Sequence, residues 1–108
     1  MEPAERVLES YIDSQGRCPF DEWLQSLKDK KARAIVRTRL GRLRLGNTGE
    51  CDPVGEGVLE LKIHYGPGYR IYFGQAGPKV VILLCGGEKS SQSSDIRTAI
   101  EYWRDYKK

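Results

Sequence analysis

Ten consecutive residues, HYGPGYRIYF from His64 to Phe73, place a histidine, an arginine and four aromatic side chains around a Gly-Pro-Gly turn. Lys62 lies two positions before this run in LELKI, and Lys89 follows later in GGEKSSQ. These are the residue types needed to cleave RNA through its own 2′-hydroxyl. A group must draw the proton from that hydroxyl, cations must hold the charge growing on phosphorus, and a donor must serve the leaving oxygen. Aromatic rings nearby can stack unpaired bases. Half-exposed strands carry the same residue types for packing alone, so composition does not separate a site from a decorated hairpin.

Alternation predicts which of these side chains share a face. Leu59, Leu61, Ile63 and Tyr65 alternate with Val58, Glu60, Lys62 and His64, and Tyr69, Ile71 and Phe73 alternate with Arg70 and Tyr72. Both runs have the period of a strand with one buried side. Directly opposed residues of an antiparallel pair share a face, so the two parities must match. Pairing 63 with 71, 62 with 72 and 64 with 70 meets that condition and leaves Gly66-Pro67-Gly68 as a three-residue loop. The expected result gathers Glu60, Lys62, His64, Arg70 and Tyr72 on one face, opposite the core. Glu60, a lone acid among bases, is expected to form an ion pair there.

Several other chemistries find no support. The chain has no Walker loop, dinucleotide fingerprint, G-x-S-x-G elbow or metal-ligand cluster, and its single histidine excludes a two-histidine site. Cys18, Cys51 and Cys85 are odd in number and widely spaced, which argues against a disulfide framework or zinc site. Cys85 continues an apolar run and reads as a core residue. No cofactor is expected.

The elements that must hold the strands in place follow from periodicity. ERVLESYI, residues 5–12, reads as a first strand, and PFDEWLQSLKD sets Phe20, Trp23, Leu24 and Leu27 on one helical stripe after Pro19. A second, longer helix runs through KKARAIVRTRLGRLRLG, with Ala32, Ile35, Val36, Leu40 and Leu43 inward and Gly46 at its end. NTGECDPVGEG reads as a loop. KVVILLCGG is apolar throughout, as in a central strand covered on both faces, and Ile96, Ala99, Ile100 and Trp103 form the stripe of a terminal helix.

A chain of 108 residues, 39% hydrophobic and 31% charged, suits one globular domain over residues 1–108. The longest apolar run, VVILLC, is too short for a bilayer, and MEPAERVLES lacks the pattern of a secretory signal, so a cytoplasmic protein with no membrane contact is expected. Between Lys28 and Arg44 lie eight basic residues against one acid. Such a stripe can contact phosphates, or can simply be a solvated helix face.

PFDEWLQSL, VGEGVLELKIHYGPGYRIYF and VVILLCGGEKSSQSSDIRTAIEYW together resemble the phage-derived, HigB-like killer proteins of the RelE/ParE toxin superfamily, over roughly residues 5–107. The resemblance implies an α+β, RelE-like fold of order β-α-α-β-β-β-α. In it a twisted, mainly antiparallel four-stranded sheet carries two N-terminal helices on one face, followed by a C-terminal helix. It also implies the toxin of a type II toxin-antitoxin system, restrained by a cognate antitoxin. The neighbouring frame would encode a helix-turn-helix protein, and RelE-like members cut mRNA on the ribosome.

By motif, Arg70 of GPGYR matches the arginine such toxins place at the scissile phosphate, and Lys62 matches a basic position that accepts a proton or contacts phosphate. Lys89 matches a phosphate-binding residue after the last strand. His64 and Tyr72, from the shared face, are the candidates for acid-base work and base stacking. Arg33, Arg37 and Arg44 of the basic helix would touch ribosomal RNA. RelE-like enzymes often use a tyrosine near the C-terminus, but Tyr102, Trp103 and Tyr106 are expected to be mostly core. Two further readings stay open: a ParE-like inhibitor of DNA gyrase, and a non-catalytic RNA- or protein-binding module.

Overall fold

Side chains of the strand-rich segment after residue 50 sort to two faces, and helices cover both. The computed structural model describes residues 5–108. In chain order it has β1 (Val7–Ser10), α1 (Pro19–Ser26), α2 (Lys30–Arg44), β2 (Cys51–Gly55), β3 (Val58–Ile63), β4 (Tyr69–Ala76), β5 (Val80–Glu88) and α3 (Gln92–Tyr106), with a short 3-10 turn at Lys89–Ser91. The fold is α+β, as expected. The sheet has five strands rather than four, ordered β1-β5-β4-β3-β2. It is mixed: β1 runs parallel to β5, and the other neighbours are antiparallel.

The additional strand is β2, which the sequence presents as loop. Pro53 and Gly55 suppress its strand signal, and its register breaks between those two residues. Proline is tolerated there because β2 lies at the sheet edge, where one side of the strand needs no ladder donor. Glu56, with φ 52°, and Gly57, with φ 90°, then turn the chain back into β3.

Local signals place the helices. Pro19 opens α1 with Asp21 and Glu22 in its first turn. Asp29 caps α2, its side chain accepting from the backbone of Lys31 at 2.9 Å and Ala32 at 3.3 Å. Gly46 follows the end of α2 at φ 90°, a conformation that favours glycine. The inward stripe of α1 and α2 packs Phe20, Val36 and Leu43 on Leu61, Ile71 and Phe73 of the sheet.

The hairpin register is Ile63 with Tyr69, Lys62 with Arg70, Leu61 with Ile71 and Glu60 with Tyr72. It corrects the expected pairing by one two-residue step. The cause lies in the turn: Tyr65 donates to the carbonyl of Ile63 at 3.1 Å and Gly68 to that of Tyr65 at 3.0 Å, so residues 64–68 fold as one loop around Pro67. A two-residue shift keeps every side chain on its face. Face membership therefore stands as expected.

What that face meets does not. Around Glu60 and Tyr72 it meets α3 instead of solvent, beside a second core of Tyr11, Val58, Tyr72, Ile82, Leu84, Cys85, Ala99 and Trp103. The α3 stripe needs an apolar surface, and α1 and α2 already occupy the other side of the sheet. A bulge in β5 helps build this core. Tyr72 pairs with Cys85 but Phe73 pairs with Leu83, so Leu84 is the additional residue and shares the α3 side with Cys85. Trp103 lies on bare backbone at Gly74, where an added Cβ would sit 2.5 Å from its ring. Gly74→Ala should cost about 1–3 kcal/mol of folding stability, read as a lower urea midpoint.

Candidate functional site

The candidate side chains meet where β3 ends, β4 begins and β5 ends. Lys62 lies across the ladder from Arg70, and Arg70 across from Gly87, two residues before Lys89. Beneath them is a buried polar network. Glu60 is only 1% exposed, and its Oε2 accepts from the Tyr72 hydroxyl at 2.9 Å and from Nε2 of Gln92, on α3, at 2.8 Å. Arg70, 6% exposed, holds its Nε 3.9 Å from the same oxygen. That separation gives charge compensation without a hydrogen bond. Nε and Nη1 of Arg70 have no hydrogen-bond partner among the described residues.

This arrangement changes the roles available to three residues. Tyr72 is fully buried, so it cannot stack a base. Burial, reinforced by its bond to Glu60, raises the pKa of its phenol and keeps it protonated. Lys62 binds Asp52 through Nζ–Oδ2 at 3.0 Å. That hydrogen bond raises its pKa, so Lys62 remains an ammonium, fit to hold a phosphate and unfit to accept a proton. Arg70 lies below the surface rather than on it. Glu60 does form the expected ion pair, with Arg70, but as a buried member of a network.

His64 and Lys89 are accessible. The His64 side chain is 70% exposed and its Nε2 contacts Oε2 of Glu50. The backbone N–H of Lys89 donates to Gly68 at 2.7 Å, and both residues line an open cleft of about 390 Å3 along the hairpin loop. The α2 arginines do not join this group, because α2 packs on the opposite face of the sheet. Arg33 donates from Nη1 to the carbonyl of Leu27, whereas Arg37 and Arg44 are exposed. Arg39 ties α2 to β3 through the carbonyl of Lys62 at 3.1 Å.

At the other end of the sheet, Trp103 is buried, Tyr102 stacks on Tyr11 with centroids 5.0 Å apart, and exposed Tyr106 stacks on Trp103 at 5.5 Å. None of the three lines the His64–Lys89 cleft. Residues that sequence reasoning missed include Glu50, Asp52 and Gln92, which hold His64, Lys62 and Glu60 in turn. No local spacing signals them, since each acts through a tertiary contact. A second cleft, of about 590 Å3, opens between the end of α1 and the start of α3.

No family model matches the chain. A Haemophilus influenzae protein named "Uncharacterized protein" is 46% identical over 80 residues, covering 74% of this chain and 81% of that one. At that identity and coverage, the chain belongs to the family of this Haemophilus protein. Among the described residues, no helix is long and apolar enough to cross a membrane.

The buried network generates two expectations. Glu60→Ala strands a buried guanidinium along with the Tyr72 hydroxyl and the Gln92 amide, and should cost about 3–5 kcal/mol in a guanidinium melt. The double change Glu60→Leu with Arg70→Met, which removes both charges, should recover most of that loss. Burial holds the pKa of Tyr11 and Tyr72 above the ordinary 10.0. The folded chain then keeps protons that the unfolded chain releases. Stability is intact below pH 10 and falls as the pH rises further, which melts monitored with tyrosinate absorbance between about pH 8 and about pH 12 will read.

Proposed function

We propose that this chain is the toxin of a type II toxin-antitoxin pair, a RelE/ParE-superfamily protein that cleaves mRNA on the ribosome. The convergence of Lys62, Arg70, Lys89 and His64 at one end of the sheet supports this reading most. The 2′-hydroxyl of the message attacks the adjacent phosphate. With Glu50 accepting from Nε2–H of His64, Nδ1 is the nitrogen left to take the hydroxyl proton. Lys89 and Lys62 hold the phosphate oxygens, and Arg70 adds positive charge from beneath, kept in place by Glu60. Attack breaks the bond from phosphorus to the 5′-oxygen, which takes up a proton from solvent, leaving a 2′,3′-cyclic phosphate and a 5′-hydroxyl. Acting on ribosomes places the protein in the cytoplasm, where its cognate antitoxin would restrain it. The exposed cations of α2, Arg37 and Arg44, supply sequence-independent contact to RNA backbone, with Arg33 more tightly engaged by its own fold.

The burial of Arg70 and Tyr72 favours a second reading. In it the same fold inhibits DNA gyrase by binding, and no RNA is cut. One experiment separates the two. The protein is added to translating ribosomes on a defined message, and new 5′ ends are mapped beside His64→Ala and Lys89→Ala, both exposed positions that leave the core intact. Cleavage is expected from the wild type, reduced about a hundredfold or more in each variant. Intact message with the wild type, together with DNA damage in cells, would establish the gyrase reading instead.

A further inference from the structure

The 590 Å3 cleft between α1 and α3 takes no part in the chemistry above. Its floor is Gly86 and Gly87, and each glycine is occupied from a different side. The ring of Trp23, on α1, lies where a Cβ of Gly86 would point, and the carboxylate of Asp95, on α3, lies where a Cβ of Gly87 would point. Trp23 is half-exposed at the cleft wall, with Tyr69 edge-on at 6.2 Å. Asp95 accepts from the Ser91 hydroxyl through Oδ2 at 2.5 Å, and its Oδ1 has no partner among the described residues.

The strand edge beside this cleft is also open. β1 pairs with β5 only as far as Leu83, where Tyr11 N–H donates to the Leu83 carbonyl at 2.9 Å. Val7 donates likewise to the carbonyl of Lys79 at 2.7 Å, so in this half of β5 the odd-numbered residues face β1. The bulge at Leu84 reverses that alternation. From Cys85 onward the odd residues face β4, and the backbone N–H and C=O of Gly86 turn outward to the uncovered edge.

We infer that this cleft binds a guanine nucleotide, with the base against Trp23 and its Watson–Crick edge against Asp95 and the open backbone of Gly86. Of the four RNA bases, guanine alone offers two adjacent donors, N1–H and the N2 amino group, to a carboxylate, with the O6 acceptor beside them for a backbone N–H. Adenine would set the lone pair of its N1 against the carboxylate. The cleft volume lies within the range that holds a nucleotide-sized ligand. Lys28 at the rim has no ion-pair partner among the described residues. It suits the phosphate of a nucleotide; a peptide cation is the other ligand that an aromatic cleft with carboxylates would attract. As a base-selecting pocket, this site deepens the RNA-cleavage reading and rests on it for its biological meaning, but its binding is measurable without ribosomes.

The test is a fluorescence titration of the full chain with guanosine 3′-monophosphate and with the adenosine, cytidine and uridine equivalents. Trp23 and Trp103 are the two tryptophans, and Trp103 is buried at the far end of the sheet. Saturable quenching by the guanine nucleotide is expected, at least about tenfold tighter than by the other three. Asp95→Asn should abolish that preference. Lys28→Ala should weaken the nucleotide about threefold or more while leaving guanosine unchanged. Equal quenching by all four nucleotides, or quenching by none, would overturn the inference. Saturable quenching by N-acetylargininamide without any by the guanine nucleotide would overturn it in favour of a docked peptide cation. Guanine binding without message cleavage would leave the pocket standing and remove the nuclease reading, and cleavage without guanine binding would do the reverse.

Discussion

A carboxylate withdrawn from water needs donors and a counter-charge around it, and Glu60 has both. Its partners come from two places: Tyr72 and Arg70 from the neighbouring strand, and Gln92 from the helix that closes over it. The network therefore fixes how α3 sits on the sheet as well as where Arg70 lies. Hydrophobic packing of Trp103 and Ala99 would hold α3 against that face in several similar positions. The single hydrogen-bonding arrangement around Glu60 selects among them, since any other would bury an unpaired charge.

The same network divides the charged groups of this end of the molecule by depth. Arg70 and Glu60 are inside, Lys62 is half-covered and anchored to Asp52, and His64 and Lys89 are at the surface. Charge on the buried members acts through a medium less polarisable than water and is weakly screened by salt, whereas the exposed members are screened strongly. Positive charge for an anion is thus layered, with steady support below and adjustable contacts above. The basic stripe of α2 stands apart, separated by the thickness of the sheet.

Much of this was legible in the sequence, and the parts that were not share a cause. Alternation in 58–63 and 69–73 identified β3 and β4 and sorted their side chains correctly, because parity survives a two-residue error in register. The unbroken apolar run of β5 announced a strand covered on both faces. The edge strand β2 was hidden by Pro53 and Gly55, whose propensities describe the isolated chain and not the partner waiting at Leu59 and Leu61. The solvent-facing role expected for Arg70 and Tyr72 failed for a related reason: periodicity shows that a face exists, and only tertiary packing decides what covers it. The contacts of Glu50, Asp52 and Gln92 with the site span separations that no motif encodes.

The parallel pairing of β1 with β5 joins the first described strand to the last described one. β5 is also the only described neighbour that β1 and β4 have in common, so without it the sheet has no continuity from one edge to the other. A growing polypeptide that ends before Val80 can form α1, α2 and the central hairpin, but it has neither a place for β1 nor a bed for α3. Closure across that span carries the entropy cost of a long loop and must wait until β5 has been made. The complete surface at the end of the sheet, including both clefts, therefore comes into being together once β5 is in place, rather than piece by piece.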